Sequence, residues 1–163
     1  MSGPSPYPAE SSAGGADGCR GAAEAQKMTV EWSATSSETG WFSSAVMRSD
    51  FKELKDRFIA LRFLGEGLLE VALPTEDSPQ VVLGFRGDHA IVQQLRSLDE
   101  DPKSFLLVGD GSVPWYGTVK VPGMEGDWMF TGHFVMSVDR AWVTVRDFVC
   151  TGSAAGLGEW YEL

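Results

Sequence analysis

The side chains able to do acid–base or metal chemistry in this chain are two histidines, His89 and His133, and a surplus of carboxylates. A histidine pair can ligate a metal or shuttle protons near neutral pH. These two fall on different expected strands, and neither stands in an HxxxH or HxE spacing. By alternation His133 shares an outer face with Thr131, so both are read as structural or surface residues. The carboxylates raise the possibility of a glycosidase or a calcium loop. However, there is no Asp-x-Asp-x-Asp-Gly loop, and acids paired in turns fix no catalytic separation. Gly109-Asp110-Gly111 lacks the Lys-Ser/Thr and the helix of a phosphate loop. Arg86-Gly87-Asp88 spells an adhesion tripeptide but reads as a hairpin turn. There is no Gly-x-Ser-x-Gly elbow, and Cys150 has no base at a readable spacing. Catalysis is not expected, and neither a cofactor nor a metal is implied.

The elements that must position these residues are short. Residues 1–27 are rich in Gly, Ala, Ser and Pro and are expected to be a disordered extension. Met28 is the expected true start, and the single domain then runs over 28–163. Met28 to Ser33 alternates like a half-buried strand, and Trp41 to Met47 is a second candidate strand. Ser49 or Asp50 caps a helix, with Glu53 at the capping-box distance from Asp50. Phe51, Leu54, Phe58 and Leu61 form its buried stripe, and Gly65 and Gly67 end it.

From Leu68 to Met136 the pattern is a meander. Strands are expected at 69–73, 80–86, 89–95, 105–108, 118–121 and 128–135, with Gly87-Asp88 as a tight hairpin connection. Ser137 caps a second helix with Asp139 in its first turn. Val138, Ala141, Trp142, Val145, Phe148 and Val149 form its stripe, and Gly152 follows as the C′ residue. Residues 157–163 are a candidate last strand. The fold class is therefore α+β, an antiparallel meander sheet packed by two helices.

In an up-and-down meander, alternate connections emerge at one end. Connections 74–79, 97–102 and 122–127 are the first, third and fifth, and they carry Glu76, Asp77, Asp99, Glu100, Asp101, Glu125 and Asp127. These seven acids are the expected partner-binding residues, on one shared edge with Lys103 as the nearest opposing charge. Such a cluster focuses a negative field and speeds capture of a basic partner. Trp115-Tyr116, after Pro114, and Trp160-Tyr161 are further candidate anchors.

The formal charge is −10, which argues against a nucleic-acid backbone or an anionic membrane as partner. No stretch approaches the ~18–20 apolar residues of a membrane span, and a signal-peptide pattern is missing. The only cysteines are Cys19 and Cys150; a buried free thiol at Cys150 and a reducing, cytoplasmic location are expected.

Across residues 65–163 the chain resembles the Imm1-type immunity proteins of bacterial polymorphic toxin systems, especially actinobacterial members. The residues that carry the likeness are Gly109-Asp110-Gly111, Phe130-Thr131-Gly132, and the terminal helix. There Ala141-Trp142-x-x-Val145 and Phe148-Val149-x-Thr151-Gly152 precede Gly158-Glu159-Trp160. Residues 28–64 match only in the order of elements. The ending departs from the family pattern, because Trp160 stands without the second Trp-containing dipeptide. The resemblance implies a non-enzymatic inhibitor that blocks a toxin domain, such as a nucleic-acid-targeting deaminase or nuclease. The alternative from a different class is a small-molecule-binding or regulatory domain that uses the sheet face.

Overall fold

The computed structural model describes residues 28–36, 46–98, 101–123 and 126–163. The expectations for residues 1–27 and for most of 41–47 lie outside them. Strands β3 (Glu66–Ala72), β4 (Gln80–Arg86), β5 (His89–Leu98) and β6 (Asp101–Leu107) form the antiparallel meander that their alternation calls for. The first strand, β1 (Thr29–Thr35), pairs with β3, and β2 (Met47–Asp50) pairs with β1 to make one edge. At the other edge β10 (Trp160–Glu162) pairs with β6. The sheet order is thus β10-β6-β5-β4-β3-β1-β2, with the short β9 (Met136–Ser137) beside the start of β5.

Both helices cover one face of this sheet. Helix α1 (Phe51–Leu64) starts at Asp50, whose carboxylate accepts the Glu53 N–H at 3.0 Å. It ends where Gly65 takes φ +91° and donates its N–H to Leu61 and Arg62, a conformation that costs glycine least. Helix α2 (Val138–Thr151) starts at Ser137, whose hydroxyl accepts the Arg140 N–H, and stops at the left-handed Gly152. The stripes expected from the sequence are buried, except that Thr144 joins the second and Trp142 is only partly buried; Trp142 stacks on Phe58 (4.3 Å) and Phe51 (5.2 Å) where the helices meet. Beneath them Val81, Leu83 and Phe85 of β4 are wholly buried. A Phe at such a site is worth about 3–5 kcal/mol against Ala.

The opposite face is covered differently from the sequence expectation. Strands β7 (Thr118–Gly123) and β8 (Gly126–Thr131) do not extend the meander. They form a separate two-stranded hairpin laid across β4, β3 and β5. A second, smaller apolar cluster lies under it: Ile91 and Leu106 from the sheet, with Val121 and Val135. The crossing is possible because Gly84 of β4 has no side chain; a Cβ there would collide with the Pro122 carbonyl oxygen. Residues 132–134 turn as a 3-10 helix instead of prolonging β8. Leu106 faces the hairpin and Leu107 the helices, so the apolar run in β6 is apolar on both sides because both sides are covered.

Cys150, partly buried on α2, is disulfide-bonded. This corrects the expectation of a free thiol, and the argument for a reducing compartment from cysteine usage falls with it. Among the described residues no helix is long and apolar enough to cross a membrane.

Candidate functional site

Of the seven candidate acids, the four that lie among the described residues divide between two places. Glu76 and Asp77 lie in the turn from β3 to β4, and Asp101 opens β6 opposite Leu98. Because Gln80 pairs with Leu95, the β3–β4 and β5–β6 connections do emerge at the same end of the sheet. Asp99, Glu100 and Glu125 lie outside the described residues. Basic side chains share this end: Arg96 and Lys103 are partners in register, and Lys103 pairs with Glu162 at 3.4 Å.

Asp127 is elsewhere. It sits on the hairpin, bonded to Arg86 at 3.0 and 3.1 Å, and Arg86 is the last residue of β4, at the opposite end from Gln80. A single edge shared by all three connections is therefore corrected, because the third connection left the sheet with its hairpin. Arg86 also donates to the Lys120 carbonyl and lies 3.4 Å from Glu66. Burial would lower its pKa, but the hydrogen bond and charge of Asp127, with Glu66, outweigh that and raise it. The group acts as a clamp that ties the hairpin to β4.

Hairpin β7–β8 carries a surface that the acidic-edge reading did not centre on. Trp115 and Tyr116 pack edge-to-face at 5.6 Å in the loop that enters β7, and they are 74% and 73% exposed. Trp128 and Met129 of β8 are 50% and 59% exposed. The loop is held close to β8, since Gly132 donates to Gly117 and a Cβ on Gly132 would strike the Pro114 carbonyl. Trp128 and Phe130 also form one wall of a groove of about 330 Å³, whose other lining residues include Gln93, Leu95 and Ser104 of the sheet and Leu163. Gln93 and Ser104 bond to each other on that side at 2.8 Å.

Asp110, at the start of the same loop, bridges two parts of the chain. Its carboxylate accepts the backbone N–H of Ser112 (2.9 Å) and of Ser137 (3.0 Å), the residue that caps α2. Burial would raise its pKa, but the hydrogen bonds from Ser112 and Ser137 outweigh it and hold the carboxyl below its usual range. Gly109-Asp110-Gly111 is thus a structural latch. His89 begins β5, and His133 lies in the 3-10 turn against Phe134 (4.9 Å); they sit on separate elements. Among the described residues no group of three or more His, Cys, Asp or Glu is placed to hold a metal.

What these elements define is a single α+β domain, an antiparallel sheet with two helices on one face and a hairpin across the other. Comparison of the chain with protein families, curated proteins and solved structures finds no match.

Proposed function

We propose that this chain is a non-enzymatic inhibitor of the immunity type, which binds and neutralises a cognate basic toxin domain. The observation that carries the reading is the exposed apolar surface at the hairpin: Trp115 and Tyr116 stand in solvent in the loop that enters β7, and Trp128 and Met129 of β8 are half-exposed, in a chain of net charge −10. Trp and Tyr dominate the energetics of protein interfaces because they bury large area at small entropic cost. A toxin domain that acts on nucleic acid holds its substrate with Lys and Arg. An acidic inhibitor is drawn to that same surface, and charge complementarity governs the speed of capture more than the final affinity. In this reading Glu76, Asp77, Asp99, Glu100 and Asp101 steer the approach. Asp127 of β8, next to Trp128, and Glu125 add to that steering.

The test is co-expression. The gene next to this one should encode a secreted protein with a toxic C-terminal domain, such as a deaminase or nuclease, and this chain should protect cells that express that domain. Unprotected cells, with both proteins soluble, would refute the reading. Charge neutralisation by Asp99→Asn, Glu100→Gln and Asp101→Asn together should slow association and flatten its salt dependence.

A further inference from the structure

The helix-covered face of the sheet is not closed at its far end. Along β5 the residues on that face are Ala90, Val92, Gln94 and Arg96. The first two are wholly buried beneath α2, and Gln94 is 4% exposed. Its amide has no hydrogen-bond partner among the described residues, although its register neighbours, Val81 and Phe105, are apolar. A buried, unpaired amide is rare in folded proteins, because it loses its water and gains nothing in return. The cause is local: α2 ends at Gly152, and the chain leaves through Ser153 to Ala155 with small side chains, which border a recess at Gln94.

Gln94 lines a recess of about 420 Å³. Its walls are Phe105, Pro79 and Trp160, and its rim is formed by Gly152 to Ala155. Trp160 is fixed there by its indole N–H, which donates to the Ala154 carbonyl at 2.8 Å. Two opposite charges line the same recess, Arg96 and Asp77. Neither has an ion-pair partner among the described residues.

We infer that this recess is a binding site for a free α-amino acid with a hydrogen-bonding side chain. Each part of such a ligand meets a complementary group. The carboxylate finds the guanidinium of Arg96, for which a forked, charge-assisted pair is the strongest arrangement. The ammonium group finds Asp77 and the C-terminal end of α2, where the helix dipole favours positive charge. The methylenes lie between Phe105 and Trp160, and the polar end of the side chain completes the hydrogen bonding of Gln94. The recess is within the size range of small-molecule sites. This inference goes beyond the proposed inhibition; it uses none of the hairpin residues and shares only Asp77 with the steering acids.

The experiment is calorimetric titration and thermal melting of the full chain against each of the twenty amino acids at millimolar concentration. A polar amino acid should bind saturably and raise the melting temperature, and its N-acetyl derivative should not. Arg96→Gln, an exposed change, should weaken that binding at least tenfold. Gln94→Leu should melt above the parent without ligand and lose the response to it. Absence of saturable binding by any of the twenty would overturn the inference. So would unchanged affinity in Arg96→Gln, which decides the matter if Gln94→Leu does not fold.

Discussion

Replacing Gly84 by Ala should prise the hairpin from the sheet. A methyl group at this position meets the Pro122 carbonyl oxygen, with the carbonyl carbon only 3.2 Å away, so both partners are backbone and neither can swing aside. The hairpin must withdraw by about 1–1.5 Å to restore ordinary contact, and a gap near 1 Å forfeits a quarter to a half of the dispersion energy across it. The cluster at stake is Ile91, Leu106, Val121 and Val135. Full burial of a side chain such as Val121 is worth ~1.5–3 kcal/mol, of which roughly half is lost. The clamp from Arg86 to Asp127 and to the Lys120 carbonyl lengthens as well. At a half-exposed site that pair contributes only ~0.5–1 kcal/mol. With the smaller losses at Ile91 and Leu106, the cost comes to ~2–4 kcal/mol, a fall in Tm of roughly 4–16 °C for a domain of this length. Urea denaturation gives the free energy, and hydrogen exchange locates it. Amides of residues 118–131 should exchange faster, while those of β1 and β3 keep their protection. A Gly84→Ala protein that unfolds with the parent and protects the hairpin equally would refute the crossing.

Asp110→Asn should destabilise the domain at neutral pH by about 0.5–1 kcal/mol, after discounting for solvent screening at an exposed carboxylate. Because its folded pKa is depressed, the stabilisation is present above the ordinary carboxylate pKa and is lost as pH falls through the folded value. The two proteins should therefore converge in strong acid, and a gap that persists there in denaturant melts would refute the latch. Trp115→Ala with Tyr116→Ala should leave the melting temperature unchanged, since both rings are in solvent, yet weaken capture of the partner by tenfold or more. Equal affinity by surface plasmon resonance would remove these residues from the interface. Cys150 should resist alkylation in the native, unreduced protein and become reactive after reduction, as peptide mass mapping would show; labelling before reduction would contradict the disulfide.

The two helices were legible in the sequence because each carries signals that do not depend on distant partners. Asp50 and Ser137 cap them, glycines stop them, and their apolar stripes fall at a period only a helix satisfies. The β3–β6 meander was legible for the same reason, with Gly87-Asp88 fixing one hairpin. What alternation does not carry is the identity of the sheet a strand joins. Thr118 to Val121 alternates equally well as a fifth meander strand or as a hairpin lying on a face. The deciding residue, Gly84, reads in isolation as a weak point in a central strand. The edge position beside β6 went to β10 instead, a pairing between residues far apart in sequence. Asp127 was misplaced with its strand, and the partnership with Arg86 was invisible because it depends on that placement. Gln94 was passed over for a related reason. In Gln93-Gln94, two adjacent polar residues must face opposite sides, so one of them has to enter a covered face, and the sequence does not mark which.

The strand order has a kinetic corollary. At the centre of the sheet, β3 to β6 are joined to their neighbours by short connections, so their contacts form at small cost in loop closure. Both edges are recruited from far along the chain: β1 must wait for β3 beyond α1, and β10 must return to β6 from beyond the hairpin and α2. Folding is thus expected to nucleate in the central meander and to add its margins afterwards. Changes at the Trp160–Leu107 margin would then shorten the lifetime of the native state and leave the rate of reaching it nearly untouched.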